Sequence, residues 1–254
     1  MSSDRSEWEN VDKWYDRLVG QEGHYYHRQI VLPKLLKCLD LNNFDSPSLL
    51  DLACGQGVLA SHLPSHVDYT GIDLAPSLIA AAKKKAQSHQ RFLVADICKP
   101  LPLSKKEFTH AVILLALQNV AHPDKALMNA AKHLVPGGIL AIVLNHPCFR
   151  IPRQSSWLID EKKKMQCRRI DSYLSPLKIP ILMQPGKGKD SETTWSFHHS
   201  LSDFSRFLAQ AGFAIALIEE WTSDKKSTGK NAKMENRARM EFPLFLTFLA
   251  KKIF

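Results

Sequence analysis

Leu49-Leu-Asp-Leu-Ala-Cys-Gly-Gln-Gly57 decides how this chain is read. Ser48–Ala53 has the apolar density of a short buried strand, and Cys54-Gly55-Gln56-Gly57 reads as a turn. A glycine turn that closes a strand and opens a helix lets a ligand lie directly against backbone. By itself the turn is also consistent with plain chain reversal. Two acids narrow the reading. Asp51 sits just before the glycines, and Asp73 follows twenty-two residues later at the end of a second apolar run, Tyr69–Asp73. An acid there can accept both hydroxyls of a ribose. A pyrophosphate would be repelled by Asp51, whereas a ligand with a cationic tail would be favoured. No G-x-x-x-x-G-K-[ST] segment occurs, so a triphosphate-binding loop is excluded.

Outward from this turn, strand and helix signals alternate. Val58–His62 is predicted to open a helix that closes near Pro64. Pro76 starts another that runs to about Lys85, a favoured place for proline. Arg91–Ala95, Thr109–Leu115 and Ile139–Leu144 are strand-like, and Pro123–Leu134 is helical with Pro136-Gly-Gly138 terminating it. Such alternation implies an α/β, Rossmann-like doubly wound sheet, mostly parallel, with ligands at the carboxyl ends of its strands. Amino-terminal to it, Trp8, Val11, Trp14, Tyr15 and Leu18 have near-helical spacing, and Ile30, Val31, Leu35, Leu36 and Leu39 form the face of a helix over about 25–40.

After Leu144 the rhythm breaks. Residues 145–195 are rich in proline and show no clear periodicity, as in a lid or insertion. Ser200-x-x-Asp203 has the form of a capping box and leads a helix stopped by Gly212. Phe213–Trp221 and Leu244–Ile253 are strand-like, the last one antiparallel, and the polar stretch 222–243 is expected to be a loop. We therefore expect a single domain over 1–254. It comprises a helical cap (1–45), a binding core (46–145), a lid insertion (146–199) and a carboxyl-terminal helix with strands (200–254).

Composition bounds the function. With 34 basic and 25 acidic residues the net charge is +9, which can attract polyanions, but the basic runs 83–85, 162–164 and 225–226 are scattered. Five cysteines without a C-x-x-C pair argue against a disulfide framework or a zinc site, and no metal is expected. No stretch of eighteen apolar residues predicts a membrane span, and the polar start has no signal-peptide core, so cytoplasm is the expected location.

These motifs resemble those of class I S-adenosylmethionine-dependent methyltransferases, in particular the small-molecule branch called type 11. The glycine segment is similar to the family's D-x-G-C-G-x-G, with Ala53 in place of the first glycine. Gly71-Ile-Asp-Leu-Ala-Pro-Ser77, Ala95-Asp-Ile97, Leu115-Ala-Leu-Gln-Asn119 and Leu134-Val-Pro-Gly-Gly138 resemble its later motifs. The resemblance implies S-adenosylmethionine as cofactor and S-adenosylhomocysteine as product. It implies Asp51, Ala53, Cys54, Gly55, Gly57 and Leu115 as cofactor contacts. Asp73 would hold the ribose, Leu74 would pack near the adenine, and Asp96 and Ile97 would contact the ring. Gln118 and Asn119 fall where the family places cofactor and acceptor contacts. Trp14-Tyr-Asp16, Gly23-His-Tyr-Tyr-His27, Asn145-His-Pro-Cys-Phe149 and Phe197-His-His-Ser-Leu-Ser-Asp203 extend the likeness beyond the core.

Methyl transfer needs alignment more than a fixed catalytic triad, because the donor is already activated. His146, directly after the fifth strand, is the leading candidate near the acceptor; its other reading is a brace for the His-Pro turn. Tyr15, His24 and Tyr26 can cover the methionine end of the cofactor or the acceptor, or simply pack the cap. His199 can face the pocket, its neighbour His198 then pointing away. Cys54 and Cys148 lack a paired base and read as structural thiols. The favoured acceptor is a small organic molecule. RNA or another large polyanion is the alternative, supported by the basic lid but by no appended RNA-binding motif. A nicotinamide-dependent oxidoreductase and a non-enzymatic interaction protein are further alternatives. The acidic turn opposes the first, and the intact set of acids and glycines opposes the second.

Overall fold

A computed structural model describes residues 25–103, 107–182, 191 and 193–254. The expected helix within 1–20 lies outside the described residues, as do Tyr15 and His24.

Period-two alternation explains the centre of the sheet. β1 (Ser48–Leu52) is buried along its whole length. Leu49 packs into one apolar cluster, while Leu50 and Leu52 pack into the other. A strand sandwiched in this way must be apolar on both faces. β1 pairs in parallel with β2 (Asp68–Asp73) and with β4 (Phe108–Leu114). β3 (Gln90–Val94) lies outside β2, and β5 (Leu134–Asn145) lies outside β4. The chain adds β2 and β3 on one side of β1, then crosses to β4 on the other. That reversal, beside β1, is where an open α/β sheet forms a ligand crevice. Two further strands, β10 (Phe213–Trp221) and β11 (Phe245–Lys252), complete a seven-stranded sheet of order β10-β11-β5-β4-β1-β2-β3. β11 is antiparallel to both of its neighbours.

Helices cover both faces. A π-helical turn (His27–Val31) leads into α1 (Leu32–Leu39), which buries Leu32, Leu35 and Leu39. α2 (Pro76–Lys83) places Ile79 and Ala82 against the same face. α3 (Pro123–His133) and α4 (Leu201–Gln210) cover the opposite one with Leu127, Phe204 and Leu208. Each fully buried leucine stabilises the fold by roughly 1.5–3 kcal/mol relative to exposure. The Ser200–Asp203 capping box forms as expected.

Four local expectations are corrected. Val58–His62 makes turns and a single 3-10 turn rather than a helix, because Leu63, preceding Pro64, is held extended (φ −83°, ψ 145°). Pro136-Gly-Gly138 does not end α3, which stops at His133; it lies within β5, where a register shift and Gly137 (φ 77°) bend the strand. The stretch expected to be without periodicity holds two antiparallel ribbons, β6–β7 (Ser155–Asp160, Met165–Ile170) and β8–β9 (Leu177–Leu182, Thr193–His198). β6 and β7 bury no face, and the buried face of β9 carries the polar residues Thr194, Ser196 and His198, so neither ribbon writes an apolar alternation into the sequence. The expected 222–243 loop contains α5 (Ala232–Glu241), built from strong helix formers with Glu235 and Arg239 paired at 3.8 Å.

Candidate active site

The glycine turn is held in left-handed backbone at three places: Ala53 (φ 61°), Gly55 (φ 55°) and Gly57 (φ 78°). At Gly57 a Cβ would come within 2.9 Å of the Phe92 ring, so packing forbids a side chain there. At Gly55 a Cβ would meet nothing within 4 Å, so this backbone faces open space. Asp73 fixes the turn to the end of β2. Its Oδ2 accepts from the Gly55 N–H at 2.8 Å and its Oδ1 from the Ala75 N–H at 2.9 Å. Burial pushes the Asp73 carboxyl up, and these backbone donors pull it back. A carboxylate has about four acceptor positions, so two backbone bonds leave room for ribose hydroxyls. Leu74, next in the chain, is 41% exposed, an apolar surface available to a flat ring.

Asp51 lies deeper. Tyr69, itself fully buried, donates its hydroxyl to Asp51 Oδ2 at 2.7 Å. The other oxygen, Oδ1, is buried and has no hydrogen-bond partner among the described residues. Burial, partly offset by the Tyr69 bond and reinforced by the Asp73 carboxylate, pushes Asp51 up to about 7. An unpartnered buried carboxylate oxygen beside an open glycine backbone suits a cationic ammonium group. Cys54 spends its N–H on Ile72 O and its carbonyl on Gly57 N–H, and burial pushes its thiol well up. That is the state of a structural thiol.

After β3, Asp96 Oδ1 accepts from the Cys98 N–H at 2.9 Å, and the carbonyl of buried Ile97 accepts from Asn129 Nδ2 at 2.7 Å. After β4, Leu115 is left-handed (φ 51°), donates to Val143 O at 2.8 Å and accepts from Gln118 Nε2 at 2.7 Å. The predicted cofactor residues that are described thus gather around the carboxyl ends of β1 to β4. Their donor set fits S-adenosylmethionine: a carboxylate for the ammonium, another for the ribose, an open backbone between them and an apolar platform.

Beside them, at the carboxyl ends of β4 and β5, lies a cleft of about 370 Å3, counting the solvent in its mouth. Gln118, Asn145, Arg150, His198, His199 and Phe204 are among its lining residues. Gln118 turns Nε2 to the Leu115 carbonyl, which leaves Oε1 buried and without a partner among the described residues. His199 packs edge-on against Phe207 at 5.3 Å, and burial lowers its basicity, with the nearby Asp203 opposing. His198 Nε2 contacts the Tyr173 carbonyl at 2.6 Å.

The other expected residues lie elsewhere. Asn119 donates its backbone N–H to Ala116 O and does not line the cleft. Tyr26 contacts Ser223 Oγ at 3.2 Å and stacks edge-on against Phe245, also outside the cleft lining. His146 is 1% exposed. Its Nδ1 accepts from the Cys148 N–H at 3.1 Å and its Nε2 lies 2.6 Å from Glu220 Oε1. A general base needs a ring nitrogen facing the acceptor; both nitrogens of His146 are engaged within the protein. Arg150 and Tyr69 were not singled out in the sequence. Arg150 had a signal, a charged residue five positions past the end of β5, whereas Tyr69 looked like one more apolar strand residue.

Sheet order and acid-flanked turn together define a class I S-adenosylmethionine-dependent methyltransferase fold. Residues 50–142 match the family described as a methyltransferase domain. Among curated proteins, a demethylmenaquinone methyltransferase of Thermus thermophilus is 37% identical over 105 residues, 39% of this chain and 47% of that protein. The match therefore spans about half the length of the Thermus relative. A demethylmenaquinone methyltransferase of Protochlamydia amoebophila is 27% identical over 201 residues, 69% of this chain and 82% of that one. Among solved structures, an S-adenosylmethionine-dependent methyltransferase of Mesorhizobium loti superposes with a TM-score of 0.67 at 24% identity, over 86% of this chain and 96% of that one. Among the described residues, no helix is long and apolar enough to cross a membrane.

Proposed function

We propose that this protein transfers a methyl group from S-adenosylmethionine to a small organic acceptor held in the cleft lined by Gln118, Arg150 and His199. The observation that carries this reading is the unpartnered, buried Oδ1 of Asp51 beside the open backbone of Gly55, on the same sheet end as the cleft. Asp51 and Asp73 hold the cofactor's ammonium and ribose, Leu74 and Asp96 its adenine. The cofactor supplies an electrophilic methyl carbon on a sulfonium. The protein's own part is alignment and the exclusion of water. Gln118 Oε1 accepts a hydrogen bond from the acceptor's O–H or N–H and so orients its lone pair. His199, neutral at neutral pH, takes the proton that the acceptor loses. His146 serves as a brace: with Glu220 it fixes the turn that follows β5. Residues from both ends of the 146–199 insertion, Pro147 and Arg150 at one and Ser196 and His199 at the other, line the cleft, which supports its role as a lid. The names of the Thermus and Protochlamydia relatives, both demethylmenaquinone methyltransferases, support an acceptor of small-molecule size.

Calorimetry of the purified protein with S-adenosylhomocysteine, and with NAD as control, tests the reading. Saturable binding of the first alone is expected. Binding of NAD alone would replace the methyltransferase by an oxidoreductase, and binding of neither would move the non-enzymatic reading forward.

A further inference from the structure

The cleft holds a cation with no counter-charge. Arg150 is half-buried and lines the cleft wall. Its Nη1 donates to Asn145 Oδ1 at 2.9 Å and, more weakly, to the Leu244 carbonyl at 3.4 Å. Its guanidinium carbon lies 5.4 Å from the centre of the Phe245 ring. Among the described residues, Nη2 and Nε make no hydrogen bond and no carboxylate lies in ion-pair range. Burial lowers the basicity of Arg150, the nearby Tyr26 phenol opposes that, and the guanidinium of Arg168, of the same sign, lowers it further. Arg168 cannot turn away to relieve the repulsion. Its Nε donates to Phe149 O at 2.6 Å, its Nη2 to Ser155 Oγ at 2.7 Å, and its plane lies over Trp157 at 5.0 Å.

Removing a guanidinium from water without a counter-ion is costly, and buried charges are ordinarily paired. Packing alone would be served by an apolar side chain at 150, and tying Asn145 to Leu244 needs only a neutral donor. What neither role uses is the outward edge of the guanidinium, whose Nη2–H and Nε–H form the fork that matches two oxygens of an oxyanion. Among the described residues no aspartate or glutamate lines the cleft, so its wall offers a cationic acceptor no opposite charge.

We propose that the methyl acceptor carries an oxyanion, a carboxylate or a phosphate ester, and that Arg150 binds it while Gln118 and His199 face the atom to be methylated. This rests on the methyltransferase reading of the same site and narrows it to a substrate class: small hydroxy- or amino-substituted organic anions. Arg168 acts behind Arg150 as a positioning residue, restraining Phe149 and Ser155 and raising the positive potential of the wall.

The test uses the full chain saturated with S-adenosylhomocysteine, titrated calorimetrically with benzoate, phenyl phosphate, neutral benzamide and cationic benzylamine. At least one of the two anions is expected to bind about tenfold or more tightly than benzamide, with benzylamine weakest. The ratio of benzoate to phenyl phosphate separates carboxylate from phosphate. Arg150→Gln is expected to erase the preference and Arg150→Lys to keep part of it, with affinity for S-adenosylhomocysteine unchanged in both. Equal binding of benzamide and the anions, binding of none of the four, or an anion preference that survives in folded Arg150→Gln would overturn the proposal. The charge preference is read in the unaltered protein, so a variant that does not fold leaves the test intact. Failure of S-adenosylhomocysteine itself to bind would instead sink the methyltransferase reading, so the two failures are distinguishable.

Discussion

Tyr69 donates its hydroxyl to Asp51 at 2.7 Å inside the sheet, and it is the hydrogen bond formed by the carboxylate among the described residues. The remaining oxygen of Asp51 has no partner among the described residues, and on the proposed reading the cofactor's ammonium group supplies one. The pair thus joins fold and cofactor site in a single contact, since the tyrosine belongs to β2 and the acid to β1.

Because burial lifts Asp51 to about 7, cofactor binding should depend on pH. A cationic ammonium favours the ionised acid, so affinity for S-adenosylhomocysteine should rise as pH rises through about 7. It should fall again only at higher pH, where the ligand's ammonium group, held protonated by its own carboxylate beyond the range of a peptide terminus, loses its proton. Asp51→Asn should lose the rise. For the unliganded protein the sign is opposite. A raised folded value means that the associated stability is fully present below the unfolded value of 3.8 and is lost as pH rises through about 7. Titration calorimetry and thermal melts from pH 5 to 9 check both slopes.

On the proposed reading Asp73 has a double duty that splits its variants. Asp73→Ala removes two backbone hydrogen bonds as well as the ribose site, so it should lower stability by about 1–3 kcal/mol and weaken cofactor binding at least tenfold. Asp73→Asn keeps one acceptor oxygen and should recover part of each loss. Denaturant melts read beside binding curves tell whether the two losses separate in this way.

His199→Gln should lower turnover by about a hundredfold if its ring takes the acceptor's proton, with cofactor affinity unchanged. Burial depresses its basicity, so in the wild type the acid limb of the rate profile should lie below pH 6.5 and be absent in the variant. His146→Ala should act on stability instead, costing about 1–3 kcal/mol through the lost turn and Glu220 contacts. If His146→Ala melts like the wild type yet has lost turnover, the roles given to the two histidines must be exchanged.

Ala53 and Gly57 should respond oppositely to exchange. Ala53 is held at φ 61°, where a Cβ is strained, so Ala53→Gly should stabilise the protein by about 0.5–1 kcal/mol after the entropy of glycine is deducted. Gly57→Ala would add strain at φ 78° and drive a Cβ against Phe92, costing about 1–3 kcal/mol. Chemical denaturation of the two single variants is sufficient to decide.

The central sheet was legible because Leu49–Leu52, Tyr69–Ile72 and Val112–Leu114 are apolar on both faces and each is followed by a turn signal. Asp73 and Asp96 could be located for the same reason, since a strand's end is visible in sequence. The ribbons β6–β7 and β8–β9 were not, because β6 and β7 have no buried face and the buried face of β9 is polar, formed by Thr194, Ser196 and His198. α5 was missed because its charged residues hide a helix whose apolar contact is chiefly Ala238. At the site, what escaped was partnership. That Tyr69 meets Asp51 depends on the register between β1 and β2, and that His146 meets Glu220 depends on strands 74 residues apart in the chain. Arg150 differs from a surface arginine only in what fails to surround it.

β11 lies between β5 and β10, although it follows both in chain order. While residues 245–252 are still being synthesised, β5 and β10 each present a bare edge, and the Leu244 carbonyl that anchors Arg150 and the His146 backbone is not yet in place. The glycine turn and its acids, by contrast, depend on residues before 100. A nascent chain halted ahead of Phe245 would therefore carry a nearly finished cofactor half, an unfinished acceptor half and two open sheet edges prone to aggregation.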